Sequence, residues 1–212
     1  MIPLNLPTKE TWDLMSRKYE ARFMDMKIYD KSYDLFLSFL PIQSRVFEIG
    51  CGPGNITRYL KTQRPDLEIE STDFAPSMVV LAQKNVPDVR FFVLDAEQLH
   101  TIQPCYQGVV CGFCMPYLTF EACKKLFTDT ARILDKLGVF YVSFLENEEP
   151  LSLYETSSDG LVSMLVHQHT HEDVSTELVR VGFAILYTER ITYTRNDGAI
   201  GIQTILICRK LA

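Results

Sequence analysis

The chain has 212 residues, a length that suits one domain with a sizeable core, and its composition is 47% hydrophobic and 23% charged. A formal charge of -6 argues against a nucleic-acid backbone as the main partner, because phosphate recognition favours a basic face. No run approaches the roughly 20 apolar residues that span a bilayer, so no membrane partner is expected. The opening residues lack the basic start and apolar core of a secretory signal, which makes the cytoplasm the expected setting.

In chain order, the first 40 or so residues read as helical and amphipathic. Thr8 is placed to cap a helix through Trp12, Met15 and Tyr19, and a second helix covers Ile28 to Leu40 before Pro41. From Arg45 the pattern changes. Arg45–Gly50 reads as a buried strand, followed by a glycine-rich turn and a helix from Asn55 to about Thr62. Leu67–Asp73 is the second strand, and Pro76 opens the next helix at its first turn, where a missing N–H is harmless. Val89–Leu94 and Gly108–Gly112 follow as strands, then a helix from Thr119 to Lys136 that ends near Gly138. Val139–Leu145 is the fifth strand. Strands alternating with helices imply a three-layer α/β fold around a parallel sheet.

The end of the chain breaks that rhythm. A helix from about Glu172 to Val181 stops at Gly182, and two strand-like runs, Phe183–Thr194 and Ile200–Arg209, flank an Asp197-Gly198 turn. Strands joined so closely are antiparallel. Nothing marks a domain boundary, so residues 1–212 read as one domain. Within it, 1–44 form a helical cap, 45–145 the core, 146–171 an insertion on the substrate side, and 172–212 the last helix and hairpin.

Three elements carry the chemistry. The first is the strand Val46-Phe47-Glu48-Ile49 running into Gly50-Cys51-Gly52-Pro53-Gly54-Asn55. Alternating glycines let a ligand approach bare main chain, at the carboxyl ends of strands where open α/β sheets bind ligands. The second is Asp73, closing the next strand, where a carboxylate can accept from both hydroxyls of a ribose. The third is Asp95, with Ala96, closing the third strand and suited to an exocyclic amine. Taken singly, either aspartate also reads as a helix cap or turn residue.

Together, residues 45–112 resemble the core of the class I S-adenosylmethionine-dependent methyltransferases. That family's pattern is an acidic residue, G-x-G-x-G, an acidic end to the second strand and an aspartate ending the third. More loosely the resemblance covers the whole chain, since the family's mostly parallel, Rossmann-like seven-stranded sheet has the order 3-2-1-4-5-7-6 and ends in an antiparallel hairpin. It implies S-adenosylmethionine as cofactor, S-adenosylhomocysteine as product and a small-molecule methyl acceptor. It places Gly50, Cys51, Gly52, Gly54 and Asn55 along the amino-acid part of the cofactor, with Glu48 near the amino group. Asp73 would hold the ribose, Phe74 and Met78 would flank the adenine, and Asp95 with the Ala96 N–H would read its amine edge. Chain near Cys111 and Phe113 would pass beside the sulfonium, and Tyr19 would close over the cofactor.

Several rivals are weaker. A dinucleotide fingerprint needs glycine at position 55, where this chain has Asn55. A cofactor-binding homologue without catalysis is the main alternative, and a protein or RNA methyltransferase needs an exposed groove, basic for RNA. Cys111-Gly112-Phe113-Cys114 has redox spacing but ends a fourth strand rather than opening a helix, so its thiols read as two incidental thiols lining the cofactor cleft. All six cysteines read as reduced thiols. His167, His169 and His171 alternate as metal ligands on a strand would, yet Thr170 or His171 followed by Glu172 and Asp173 reads better as a helix start. No metal is expected. For an acceptor that must lose a proton, the candidates are His169, His171 and Tyr29, with Tyr117 and Glu146 beside the substrate. The acceptor and the oligomeric state stay open.

Overall fold

A computed structural model describes residues 4–5, 8–103, 105–157, 160–195 and 198–211. A short strand, β1 (Leu4–Asn5), precedes two helices, α1 (Thr8–Phe23) and α2 (Asp30–Ser38). The Thr8 side chain, read above as a cap, lies outside the described residues. Strand β2 (Arg45–Ile49) leads through the glycine turn into α3 (Asn55–Gln63), and β3 (Glu68–Asp73) into α4 (Pro76–Asn85). Pro76 occupies the first turn of α4, behind an extended Ala75. After β4 (Arg90–Val93) a 3₁₀ turn spans Ala96–Thr101. Strand β5 (Tyr106–Cys111), a second 3₁₀ turn at Met115–Tyr117, and α5 (Phe120–Ile133) follow. Thr119 caps α5, its hydroxyl accepting from the Ala122 N–H.

The main sheet has seven strands in the order β4-β3-β2-β5-β6-β10-β9, with β6 (Leu134–Glu146), β9 (Phe183–Thr194) and β10 (Ile200–Lys210) on its later side. The pairs from β4 through β6 are parallel, and β10 lies antiparallel to both β6 and β9. This is the order expected from the resemblance. Successive residues feed opposite faces, as the period of a strand requires. Phe47, Val109, Phe140 and Val142 pack with Leu126 and Phe127 of α5 and with Val174 and Leu178 of α6 (His171–Arg180). Val46, Val110, Val139 and Tyr141 pack against Phe36, Ile56, Leu60 and Ala82 on the other face. Both faces are dry, which explains why these strands read as continuous apolar runs.

Two local expectations need correction. Helix α5 stops at Ile133 rather than Lys136, and β6 starts directly at Leu134, which is buried opposite Tyr106. Gly138 is not a helix cap. A Cβ there would stand 2.9 Å from Leu134 Cδ2 and 3.0 Å from the Asp135 carbonyl, so close packing explains the glycine. The insertion read at 146–171 has regular structure. It forms an antiparallel hairpin, β7 (Leu151–Thr156) and β8 (Val162–Gln168), which joins β1 in a separate three-stranded sheet. Thr170 then caps α6 by accepting from the Asp173 N–H at 2.9 Å. Of the terminal hairpin's turn, Asn196 and Asp197 lie outside the described residues, and Gly198 is left-handed.

Candidate active site

The turn after β2 is built from backbone that L side chains avoid. Gly50, Gly52 and Gly54 have φ of 69°, 54° and 87°. At Gly50 a Cβ would collide with the Cys114 side chain, 2.9 Å from its Cβ. At Gly52 it would project to within 3.6 Å of Tyr19, across open space. Gly54 caps α3 in the left-handed region and packs it on α4, where a Cβ would sit 3.3 Å from Ala82 Cα. The Cys51 N–H donates to the Thr72 carbonyl at 2.8 Å, so the turn is stitched to β3.

Asp73 completes this stitching. One carboxylate oxygen accepts from the Gly52 N–H and the other from the Ala75 N–H, each at 2.9 Å. It is nearly buried, and burial, partly offset by those two donors, lifts its pKa to about 6. Asp95 caps the 3₁₀ turn by accepting from the Glu97 N–H at 2.9 Å. Each aspartate is therefore a turn-former, and each also faces the same cavity.

That cavity holds about 270 Å³. It is lined by Gly50, Cys51, Gly52, Asn55, Asp73, Phe74, Met78, Leu94, Asp95, Ala96 and Glu97. Trp12, Tyr19, Gly112, Phe113, Cys114, Tyr117 and Leu118 complete the lining. Helix α1 roofs the cavity and is tied down along its length. Asp13 accepts from the Ser77 N–H and hydroxyl at 2.9 and 2.6 Å, Asn85 donates to Glu20 at 2.7 Å, and Arg58 donates to Asp25 and to the Met24 carbonyl at 2.6 Å. Under that roof Trp12 meets Tyr19 and Tyr117 edge-on, with centroids 5.2 and 5.1 Å apart. Burial raises the Tyr19 and Tyr117 phenols well above their ordinary range, so both are protonated hydrogen-bonding groups.

Residues 46–138 match the methyltransferase domain family. Among curated relatives, the demethylmenaquinone methyltransferase of Thermotoga maritima is 27% identical over 61% of this chain and 54% of its own length. The chain thus spans about half the length of that relative. The tRNA N(3)-methylcytidine methyltransferase trm141 of Schizosaccharomyces pombe is 23% identical over 88% of this chain and 84% of its own length. Among solved structures, the Burkholderia thailandensis 1,6-didemethyltoxoflavin-N1-methyltransferase, with its acceptor and S-adenosylhomocysteine bound, superposes with a TM-score of 0.71. That likeness is at 18% identity and covers 99% of this chain and 92% of the other. Over residues 46–138 the chain carries a methyltransferase domain, and its fold is that of the S-adenosylmethionine-dependent methyltransferases. S-adenosylmethionine is the cofactor of this family, and the cavity suits it on its own chemistry. Bare main chain, two carboxylates able to accept hydrogen bonds, and the apolar Phe74 and Met78 all converge there.

Against the family pattern, twelve of the residues singled out from the sequence line this cavity: Tyr19, Gly50, Cys51, Gly52, Asn55, Asp73, Phe74, Met78, Asp95, Ala96, Phe113 and Tyr117. Others do not reach it. Gly54 packs helices, as described above. Glu48 is fully buried beneath the turn, bonded to the Thr57 and Ser71 hydroxyls, with burial lifting its pKa to about 7. Tyr29 stands behind the wall, edge-on to Phe113 at 4.8 Å, and lines a second cavity that shares Asn55 with the first. Glu146 is held by Arg190 at 2.9 Å and by Thr204. Burial acts to raise its pKa, but these bonds outweigh it and hold the carboxyl below the usual range.

The histidines separate. His167 bonds Ser152 at 2.8 Å, His171 opens α6 beside Ser175, and His169 is buried with Nε2 3.8 Å from Cys123 Sγ and its ring against Phe120. Burial holds His169 below its ordinary pKa. Sequence reasoning missed Trp12, Leu94, Glu97, Gly112 and Leu118, whereas Cys114, read as a thiol of the cleft, lines it and Cys111 does not. Trp12 was within reach, because it lies seven residues before Tyr19 and so shares its helix face.

Proposed function

We propose that this chain transfers the methyl group of S-adenosylmethionine to a small-molecule oxygen or nitrogen acceptor, releasing S-adenosylhomocysteine. The observation that carries this reading is the convergence of the Gly50–Gly52 main chain, Asp73 and Asp95 on one cavity with an aromatic chamber beside it. When bound, the cofactor supplies a methyl on cationic sulfur, already a good leaving group. What remains for the protein is positioning, which is worth several kcal/mol when an acceptor is held in line.

In this reading Asp73 accepts from the ribose hydroxyls through the lone pairs that Gly52 and Ala75 leave free. Asp95 accepts from the adenine amine, and Phe74 and Met78 hold the ring. The acceptor lies among Trp12, Tyr19, Phe113 and Tyr117, under α1. Among the described residues no histidine or lysine lines the cavity. The Tyr19 and Tyr117 phenols therefore orient the acceptor by hydrogen bonding, and an ionising proton leaves to water. A small acceptor is favoured by the roofed cavity and the charge of -6.

Calorimetry with S-adenosylhomocysteine, followed by a product-release assay with S-adenosylmethionine over hydroxyl- and amine-bearing metabolites and over tRNA, tests this. Turnover of a metabolite is the expected result. Turnover of tRNA alone would replace the acceptor class, and cofactor binding with no turnover would favour a non-catalytic homologue.

A further inference from the structure

The thiols of Cys111 and Cys114 lie outside the proposed transfer reaction, yet the fold brings them together at its centre. Cys111 ends β5 and is fully buried. Gly112 is pinned, since a Cβ there would stand 2.4 Å from Ile56 Cδ1. Phe113 is left-handed, with φ of 62°, and its N–H donates to the Ser143 hydroxyl at 3.0 Å. This turn folds the chain back, so that Cys114 packs against the buried cluster that contains Cys111. Cys114 itself is half-buried and lines the cofactor cleft. Its side chain is packed on the glycine floor, where Sγ is 3.1 Å from the position a Gly50 Cβ would take.

Cleft access for one sulfur and burial for its neighbour are the arrangement of an attacking and a resolving thiol. We propose that Cys114 and Cys111 form a reversible disulfide under peroxide that controls cofactor binding. This rests on the cleft being the S-adenosylmethionine site. The Cys114 sulfur attacks a peroxide oxygen, the O–O bond breaks, and water leaves with the thiol proton, giving a sulfenic acid. The Cys111 sulfur then attacks that sulfur, the S–O bond breaks, and hydroxide leaves with the Cys111 proton as a second water. Two thiols are oxidised and one hydrogen peroxide is reduced. Drawing Cys114 Sγ into a bond of roughly 2 Å lifts it off the Gly50 floor and shifts the Phe113 wall, so the cofactor loses its fit.

The test is peroxide titration of the reduced chain, read by intact mass, by tandem mass spectrometry of the 91–124 tryptic peptide, and by S-adenosylhomocysteine calorimetry. The expected result is loss of two hydrogens, a Cys111–Cys114 link, and cofactor affinity lower by about tenfold or more, restored by dithiothreitol. S-adenosylhomocysteine should protect Cys114 from alkylation in the untreated chain. C111S and C114S should each abolish the reversible loss, whereas C123S should retain it. A link through Cys123, persistence of the effect in folded C114S, or unchanged affinity after the link has formed would overturn the proposal. Should either serine variant fail to fold, the peptide mapping and the alkylation protection on the unaltered chain still decide. Failure of the reduced chain to bind S-adenosylhomocysteine would sink the function proposed above, while the mass readout would still report the disulfide.

Discussion

At one end of the cleft the wall is main chain and carboxylate: Gly50, Gly52, Asp73 and Asp95, all at strand ends of the core. At the other it is aromatic side chain, with Trp12 and Tyr19 from α1, Phe113 from the turn after β5, and Tyr117 from a 3₁₀ turn. Groups from outside the core come within electrostatic range of this second end, for the Tyr117 phenol also senses Glu155 of β7 and Tyr193 of β9. The first end has a geometry fixed by backbone hydrogen bonds and tolerates little change. The second is assembled from segments distant in sequence, whose side chains can be exchanged without disturbing a strand. On the function proposed above, a common cofactor and a variable acceptor call for that division.

The comparison breaks most visibly at Gly52. Gly52→Val puts a branched side chain on a left-handed residue and into the space between the turn and Tyr19. S-adenosylhomocysteine affinity should fall by at least about a hundredfold, with circular dichroism of the sheet unchanged; near-normal binding by a folded variant would remove the cradle. Next is Asp73→Ala, which deletes a charged acceptor worth about 1.5–3 kcal/mol. Calorimetry should show a loss of roughly ten- to a hundredfold. Asp73 also sets a pH limit. Its pKa of about 6 means that, as pH falls through 6, the carboxylate gains a proton and loses acceptor capacity. Affinity should then decline by up to about tenfold per pH unit, and Asp73→Asn should flatten that profile. Trp12→Ala, at the other end, should lower acceptor turnover by about tenfold through lost edge contacts while leaving cofactor affinity within about threefold; equal losses of both would merge the two ends into one site.

The same division explains what was legible in the sequence. The glycine spacing, Asp73 and Asp95 are local signals, each tied to the end of a strand whose apolar pattern is plain, and the strand order followed from them through the resemblance. The aromatic end has no local signature. Tyr117 and Trp12 meet across about a hundred residues, and Cys114 reaches the Gly50 floor only because Phe113 adopts a conformation its residue type disfavours. The helix start read at Thr170 or His171 holds, because a period of two implies one shared face only while the strand continues. Here β8 ends at Gln168, Thr170 caps a helix, and His169 turns inward toward Cys123. Glu48 has the expected position in the motif, and its side chain takes the buried Thr57 and Ser71 hydroxyls.

Glu48 therefore supplies the smallest expected effect on binding and the sharpest contrast with Asp73. Burial lifts its pKa from 4.5 to about 7, against the lowering influence of Thr57 and Ser71. The folded chain holds this proton more tightly than the unfolded chain does. The stability it contributes is complete below about pH 4.5 and is lost as pH rises through about 7. Glu48→Gln keeps an oxygen for the two hydroxyls and cannot ionise. Urea denaturation should show the variant more stable than the parent by about 3 kcal/mol at pH 8 and equal to it near pH 4. Cofactor affinity at pH 7 should stay within about twofold. A loss on the scale of Asp73→Ala would mean that Glu48 turns into the cleft when the cofactor binds, and the carboxylate beneath the turn would then belong to the binding surface rather than to its support.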